Sequence, residues 1–175
     1  MRCTEVADRP LPDGKFFERD IGDRERSATM DHPFSPEEQL RAGAAILGEL
    51  FEPAGFTFAL STVGNSSGGR FAIGEFIRGN HRLELHYRFG LGIVIYHVGD
   101  CSLSHAELMR SQGFSKHAEF PTILDKSLRG FHAILSDLRK FGGPFLDADA
   151  SQFAILAEWC AKNPKPTGFK ALSNQ

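Results

Sequence analysis

The stretch that decides the fold is residues 70–98, RFAIGEFIRGNHRLELHYRFGLGIVIYHV. Apolar and polar side chains alternate along most of it, with the period of two that is typical of half-buried strands. Gly79-Asn80 lies between two alternating runs and predicts a two-residue hairpin turn, in which Arg78 pairs with His81. The stretch therefore predicts an antiparallel hairpin at its centre.

A second turn, at Gly90-Leu91, continues this hairpin into a third strand. The pairs expected across it are Tyr87 with Val94, Leu85 with Tyr96 and Leu83 with Val98. One face then gathers Phe76, Leu83, Leu85, Tyr87, Val94, Tyr96 and Val98. Because a slip of one residue would turn a whole strand over, this apolar set supports the register.

A further strand precedes the hairpin. Phe56, Phe58 and Leu60 alternate with small or polar residues, which predicts a half-buried strand. The segment 64–69, GNSSGG, is interpreted as its connection to residue 70. It lacks the Gly-Lys-Ser/Thr ending of a phosphate-binding loop, so a plain hairpin connection is the preferred interpretation.

Along the sequence, helices are predicted both before and after the strands. Ser35-Pro36-Glu37-Glu38 has the form of a capping box with Pro at the first helical position, and Ser104 with Glu107 forms a second capping box. Two more helices are expected from about 125 to 141 and from about 149 to 162. The order predicts an α+β fold, an antiparallel meander of about four strands packed on one face by an N-terminal helix and C-terminal helices.

The ends of the chain have a different character. Residues 1–33 mix charges with Pro10 and Pro12 and show no sustained period, so they are expected to be a disordered tail or an extension. Met30 offers an alternative start. Residues 34–170 are expected to form the single domain, and 171–175 a short tail.

Composition excludes several function classes. The 175 residues carry 20 Lys+Arg against 22 Asp+Glu, a net charge of -2, which lacks the basic footprint of a general nucleic-acid binder. No apolar run approaches the roughly 18 residues of a membrane span, and no apolar N-terminal signal is present. Cys3, Cys101 and Cys160 are dispersed, which favours the cytoplasm over a disulfide framework. The 16 Phe against 2 Tyr favour core packing.

The sheet face opposite the apolar set collects the titratable side chains. In the expected register, Glu75 lies opposite Glu84 and Glu84 opposite His97. The candidate binding face consists of Glu75, Arg82, Glu84, His86, Arg88 and His97. It is interpreted as a solvated or partner-binding face, with charges paired across strands. The alternative is a chemical site, in which adjacent carboxylates raise one pKa for proton exchange, or Glu84, His86 and His97 bind a metal.

The sequence also supports expectations for three residues outside this face. Cys101 precedes a predicted helix and lies near His97 and His105 in sequence, so it is a candidate nucleophile, with a small buried cysteine as the other interpretation. His132 is expected to be partly buried and bonded to a backbone carbonyl. His81, at a hairpin tip, is expected to meet solvent.

The last predicted helix is apolar on more than one face. Its apolar residues are Phe153, Ile155, Leu156, Trp159 and Cys160. Such a helix is either buried on two sides or in contact with a partner, so a homodimer formed through it is one expectation.

Residues 71–76 (FAIGEF), 96–100 (YHVGD) and 103–105 (LSH) resemble a group of small bacterial cytoplasmic α+β proteins. The resemblance covers about 35–170 and implies neither an activity nor site residues. The layout is also similar to small immunity and chaperone-like proteins. The expectation is a protein-binding or regulatory module of immunity or adaptor type, with a protein partner and no cofactor. The alternative is a small enzyme or metal-binding protein.

Overall fold

The computed structural model describes residues 35–121, 127–147 and 150–165, all within one compact unit. The helices are α1 (Pro36–Phe51), α2 (His105–Ser111), α3 (Arg129–Phe141), α4 (Gly143–Leu146) and α5 (Ala150–Lys162). The strands are β1 (Thr57–Ser66), β2 (Gly69–Arg78), β3 (His81–Tyr87), β4 (Leu91–Val98) and β5 (Cys101–Ser104). The predicted tails, 1–33 and 171–175, lie outside the described residues.

The sheet is an open antiparallel meander in the order β1-β2-β3-β4-β5, packed with helices. The α+β prediction is therefore confirmed, with five strands rather than about four. The additional strand is β5, where Leu103 is buried and pairs with Tyr96. Its four residues run directly into α2, and from the sequence only Ser104, as the helix cap, and Cys101, as a residue preceding the helix, were predicted.

The first helix begins as predicted. The Ser35 hydroxyl accepts a hydrogen bond from the Glu38 backbone N–H at 3.2 Å, and the Glu38 carboxylate accepts one from the Ser35 N–H at 2.7 Å. These two bonds satisfy donors that the first turn cannot pair internally. Leu40, Leu47 and Phe51 are fully buried along one stripe, so α1 packs on the sheet through its apolar face.

The hairpin of β2 and β3 has the predicted register. Arg78 pairs with His81, Phe76 with Leu83 and Ala72 with Tyr87. Gly79 has a φ of +57°, which a two-residue turn requires and glycine adopts without strain.

The predicted register of β3 with β4 is wrong by two residues. Leu85 pairs with Val94 rather than Tyr96, and Leu83 pairs with Tyr96 rather than Val98. The chain turns at 88–90, where the Arg88 N–H bonds to the Gly90 carbonyl at 3.2 Å, and a bulge follows His86. A shift of two residues keeps every side chain on its face, so the apolar set is still gathered on the core side.

Most of the predicted loop 64–69 belongs to strands. β1 continues to Ser66, and Gly64 pairs with Phe71. A Cβ on Gly64 would lie 2.7 Å from the Phe71 ring, so this glycine allows the ring to lie across the strand. A Gly-Asn-Ser run has low strand propensity, and only pairing with β2 reveals the strand.

Aromatic rings join the helices to one face of the sheet. Phe51 of α1 stacks on Phe76 at 4.7 Å between centroids, and Phe145 of α4 meets Tyr96 edge-on at 4.9 Å. Phe131 of α3 stacks on Tyr87 at 6.1 Å. The excess of Phe is thus largely a packing feature, and among the described residues the helices pack on this face and leave the opposite one open.

The tip of the β2–β3 hairpin is covered, contrary to the expectation for His81. His81 is only 3% exposed, and its Nδ1 lies 2.9 Å from the Phe145 carbonyl oxygen. Arg78 donates to the carbonyls of Ala54 at 2.9 Å and Leu146 at 2.7 Å. The short helix α4 produces this burial, because it folds over the tip directly after α3.

The late helices differ in part from expectation. His132 is exposed on α3, so its predicted partial burial is wrong. On α5, Phe153 and Cys160 are buried, whereas Ile155 is 65% and Trp159 40% exposed. Among the described residues, no helix is long and apolar enough to cross a membrane.

Candidate functional site

The open face of the sheet carries the charged cluster predicted from the sequence. Side chains alternate along β2, β3 and β4, so Glu75, Glu84 and His97 point away from the buried neighbours that precede and follow them. Glu75 pairs with Glu84 as expected. Glu84 lies opposite Ile95, however, and Arg82 lies opposite His97, because of the two-residue shift between β3 and β4.

Glu84 is the centre of this cluster. Its side chain is 18% exposed, and its Oε1 accepts a hydrogen bond from His86 Nε2 at 2.5 Å. Its Oε2 lies 3.2 Å from His97 Nε2 and 3.7 Å from Arg82 Nη1. The structure therefore brings Glu84 and His97 together diagonally, although the predicted direct pairing is wrong.

Arg82 separates the two carboxylates. Its Nη1 donates to Glu75 Oε1 at 2.9 Å and also faces Glu84. The guanidinium removes the repulsion expected between adjacent carboxylates. We name the five residues Glu75, Arg82, Glu84, His86 and His97 the charged cluster.

The surroundings of Glu84 hold it in the ionised form. Burial by itself raises the pKa of a carboxyl, but the hydrogen bond from His86 and the positive charges of His86, His97 and Arg82 outweigh burial, so the pKa of Glu84 lies below its usual value. The hypothesis that neighbouring carboxylates raise a pKa for proton exchange therefore does not hold for Glu84.

His97 is fixed in orientation by two strands. Its Nδ1 lies 2.8 Å from the Ser102 hydroxyl of β5, while its Nε2 faces Glu84. Ser102 was not predicted as part of this face, because β5 was not predicted as a strand. Both ring nitrogens are engaged, which makes His97 an ordered part of the surface.

Arg88 is the one predicted binding-face residue that lies apart from the charged cluster. Its Nη2 donates to the Ser66 hydroxyl at 3.0 Å, and its guanidinium lies 5.6 Å from the Phe71 ring centroid. It follows the end of β3, next to the β1–β2 turn. The candidate face is thus divided into a charged cluster and a separate arginine.

Isoleucines flank the charged cluster. Ile73 and Ile93 both pair with His86, and Ile95 pairs with Glu84. Ile93 is 49% and Ile77 37% exposed. The open face is therefore both apolar and charged.

A metal site was the alternative for Glu84, His86 and His97. Within residues 35–121, 127–147 and 150–165, no group of three or more His, Cys, Asp or Glu is arranged to hold a metal ion.

Cys101 is half-buried in β5 and pairs with Val98. The two histidines named with it have other partners: His97 faces Glu84 and Ser102, and His105 faces Tyr96 and Asp137. A nucleophilic role for Cys101 stays a prediction.

A second group of titratable residues, buried in the core, was not predicted. The Tyr96 hydroxyl lies 2.8 Å from His105 Nδ1, and His105 Nε2 lies 3.0 Å from Asp137 Oδ2. The Asp137 carboxylate also accepts the backbone N–H groups of Glu119 at 2.9 Å and Phe120 at 3.0 Å. We name Tyr96, His105 and Asp137 the buried triad.

The buried triad has a defined protonation pattern. Burial lowers the pKa of His105, although its bond to Asp137 and the charge of Asp137 oppose this. Burial and the Asp137 charge raise the pKa of Tyr96 well above its usual value. A neutral His105 thus accepts from the Tyr96 O–H and donates to Asp137. All three are at most 3% exposed, which gives the group a structural role.

One signal could have revealed the buried triad. Asp137 lies one turn after Ile134 and beside Leu138, on the apolar side of the α3 pattern. A charged residue in that position predicts a buried hydrogen-bond partner, because an unpaired buried charge is strongly destabilising.

No family model matches the chain, and no curated protein or solved structure shows significant similarity to it. The function is therefore inferred from the geometry of the open face.

Proposed function

We propose that this chain is a protein-binding module of regulatory or adaptor type that acts in the cytoplasm and contacts its partner through the open face of the sheet. The observation that carries the proposal is the combination, on one uncovered face, of an ordered charged cluster with exposed isoleucines. Protein interfaces join apolar area to oriented polar groups in this way.

The apolar part supplies the area that a partner would bury. Ile93 is 49% exposed and Ile77 37%, on different strands of the same face. Burying such side chains stabilises a complex by about 25 cal/mol per Å² of apolar surface removed from water.

The polar part supplies selectivity. Glu84 is already neutralised by its neighbours, so a partner does not need to bring a buried counter-charge. Arg82 is 41% exposed and has further N–H groups beyond its bond to Glu75. We therefore infer a partner surface with a carboxylate opposite Arg82 and apolar side chains opposite Ile93.

Two matched substitutions test the proposal. Ile93→Glu places a charge on the open face, and Ile155→Glu places the same charge on α5, at a site that is also well exposed. Affinity capture from host extract with the wild type identifies the retained protein, and calorimetry then measures its dissociation constant. We expect Ile93→Glu to weaken binding about a hundredfold and Ile155→Glu to leave it nearly unchanged. Weaker partner binding by Ile155→Glu, with binding by Ile93→Glu unchanged, would contradict the proposal.

A second candidate function is a small enzyme that uses Glu84 with His86. The supporting observation is that Glu84 binds His86 Nε2 and orients the ring, while the His86 side chain remains 31% exposed. A carboxylate-oriented histidine can act as a general base. This function is favoured over partner binding if His86→Ala abolishes small-molecule binding or catalytic turnover while Ile93→Glu retains it.

A further inference from the structure

We propose that the outer edge of β1 binds a second copy of this chain, strand to strand, and joins two sheets into one. β1 spans ten residues, Thr57–Ser66, at the end of the sheet order. Within residues 35–121, 127–147 and 150–165, β2 is its one paired neighbour. The proposal is independent of the open face.

The backbone of an edge strand specifies what can cover it. Alternate residues direct their N–H and C=O groups away from the sheet, and these groups pair with another extended strand. The opposite edge offers no such length, since β5 has four residues and its Leu103 is buried beneath the helices. Because β1 is much longer than β5, the β1 edge is the one that can accept a partner strand.

β1 also lacks the usual protection against pairing. Exposed edges are normally blocked by Lys, other charges or Pro. No charged residue lies between Glu52 and Arg70, and no Pro lies within β1. Within the described part of the chain, the protective feature of this edge is a bulge between Leu60 and Thr62. The absence of charge favours a second copy over a charged peptide, because an uncharged strand can face itself without repulsion.

An apolar row runs along this edge on the helix-covered face. Phe58 pairs with Phe76, Leu60 with Gly74 and Val63 with Ala72. The three inner partners are buried, whereas Phe58 and Leu60 are half-buried and Val63 is 44% exposed. The bulge adds one residue between Leu60 and Val63, which keeps Val63 on the apolar side.

Self-pairing completes this row. In an antiparallel pair about a twofold axis, every contact occurs twice, and an axis near the middle of β1 places Leu60 of one copy opposite Val63 of the other. Leu60 and Val63 of each copy then gain apolar cross-strand neighbours.

Three lysine substitutions at exposed apolar positions test the proposal on the full chain. Val63→Lys charges the β1 edge, Ile93→Lys the open face and Ile155→Lys the last helix. Light scattering over a concentration series is expected to show a wild-type dimer of two 19.3 kDa chains. We expect Val63→Lys to weaken dimerisation more than about tenfold and both controls to leave it within about twofold.

Amide hydrogen exchange of the wild type supplies a readout that needs no variant. Protection in β1 that rises with protein concentration, while β5 is unchanged, supports the proposal. Three outcomes overturn it: a monomeric wild type at all concentrations, a dimer broken by Ile155→Lys instead, or β1 protection independent of concentration.

Discussion

Asp137 is fully buried on α3, yet its carboxylate has three donors around it. His105 approaches from α2, and the backbone N–H groups of Glu119 and Phe120 approach from the segment before α3. Because a buried charge without partners is strongly destabilising, the three donors and the carboxylate depend on one another. The buried triad thus fixes the position of two helices and their connecting segment against β4.

The lowered pKa of His105 predicts a pH dependence of stability. The unfolded histidine takes up a proton near its ordinary pKa of 6.5, while the folded one does so at lower pH. Its contribution is therefore fully present above pH 6.5 and is lost as the pH falls through the folded pKa. We expect the free energy of unfolding of the wild type to exceed that of His105→Gln most above pH 6.5, and this difference to narrow on acidification, as measured by urea denaturation at several pH values.

His132 provides the control for that measurement, because it is exposed on α3. The free energy of unfolding of His132→Gln should lie within about 0.5 kcal/mol of the wild-type value, as for other substitutions of exposed residues. A difference between wild type and His105→Gln that is constant with pH would contradict the prediction.

Two helices approach closely where α1 carries a glycine. A Cβ added to Gly43 would lie 2.3 Å from the Phe131 ring of α3, and real contacts are never so short. Phe131 is itself fully buried and stacked on Tyr87, so it has little room to move. The absence of a side chain at Gly43 therefore sets the spacing of α1 and α3.

Gly43→Ala is expected to lower the free energy of unfolding by about 2 kcal/mol. The overpacking against Phe131 should outweigh the gain of about 1 kcal/mol in helix propensity. Guanidinium denaturation measures the free energy of unfolding of this variant and of a control, Gly48→Ala.

Gly48→Ala, on the same helix, is the matched control. A Cβ there would meet only the Glu52 carboxylate at 3.0 Å, the far end of a flexible side chain. We expect this variant to be neutral or more stable by up to about 1 kcal/mol. Equal losses in both variants would show that close packing against Phe131 is not the cause.

Across the whole molecule, Arg78 joins parts of the chain that are distant in sequence. From the end of β2 it donates to the carbonyls of Ala54, after α1, and of Leu146 and Asp147, at the end of α4. Its guanidinium also lies 4.4 Å from the Phe56 ring centroid. One side chain thus holds the hairpin tip, the exit of α1 and α4 together.

Arg78→Lys is expected to cost about 2 kcal/mol of stability, although the charge is conserved. A lysine ammonium at this position cannot donate at once to the carbonyls of Ala54 and Leu146, as the planar guanidinium does. The melting temperature and the urea midpoint check this result.

Arg88→Lys is the control, because Arg88 is exposed and its guanidinium donates to the Ser66 hydroxyl rather than to several backbone carbonyls. Its effect should stay within about 0.5 kcal/mol. A loss as large as that of Arg78→Lys would mean that the number of carbonyl contacts does not explain the effect.

The candidate site was predicted in part. Alternation placed Glu75, Arg82, Glu84, His86 and His97 on one face, because period two is a local property of each strand. Arg82 between the carboxylates, Ser102 beside His97 and the separation of Arg88 were not predicted. The contact with Ser102 depends on β5, and the other two depend on which neighbours the arginine side chains contact, which the amino-acid pattern did not specify.

The sequence by itself determined much of the secondary structure and the faces of the molecule: the capped helices, the β2–β3 register and the apolar side of the sheet. These features follow from propensity, capping and period, which act over a few residues. Only the tertiary structure decided the β3–β4 shift, the burial of His81 under α4 and the buried triad. A bulge, a covering helix and a bond between residues 32 positions apart depend on packing between distant segments, which local pattern does not encode.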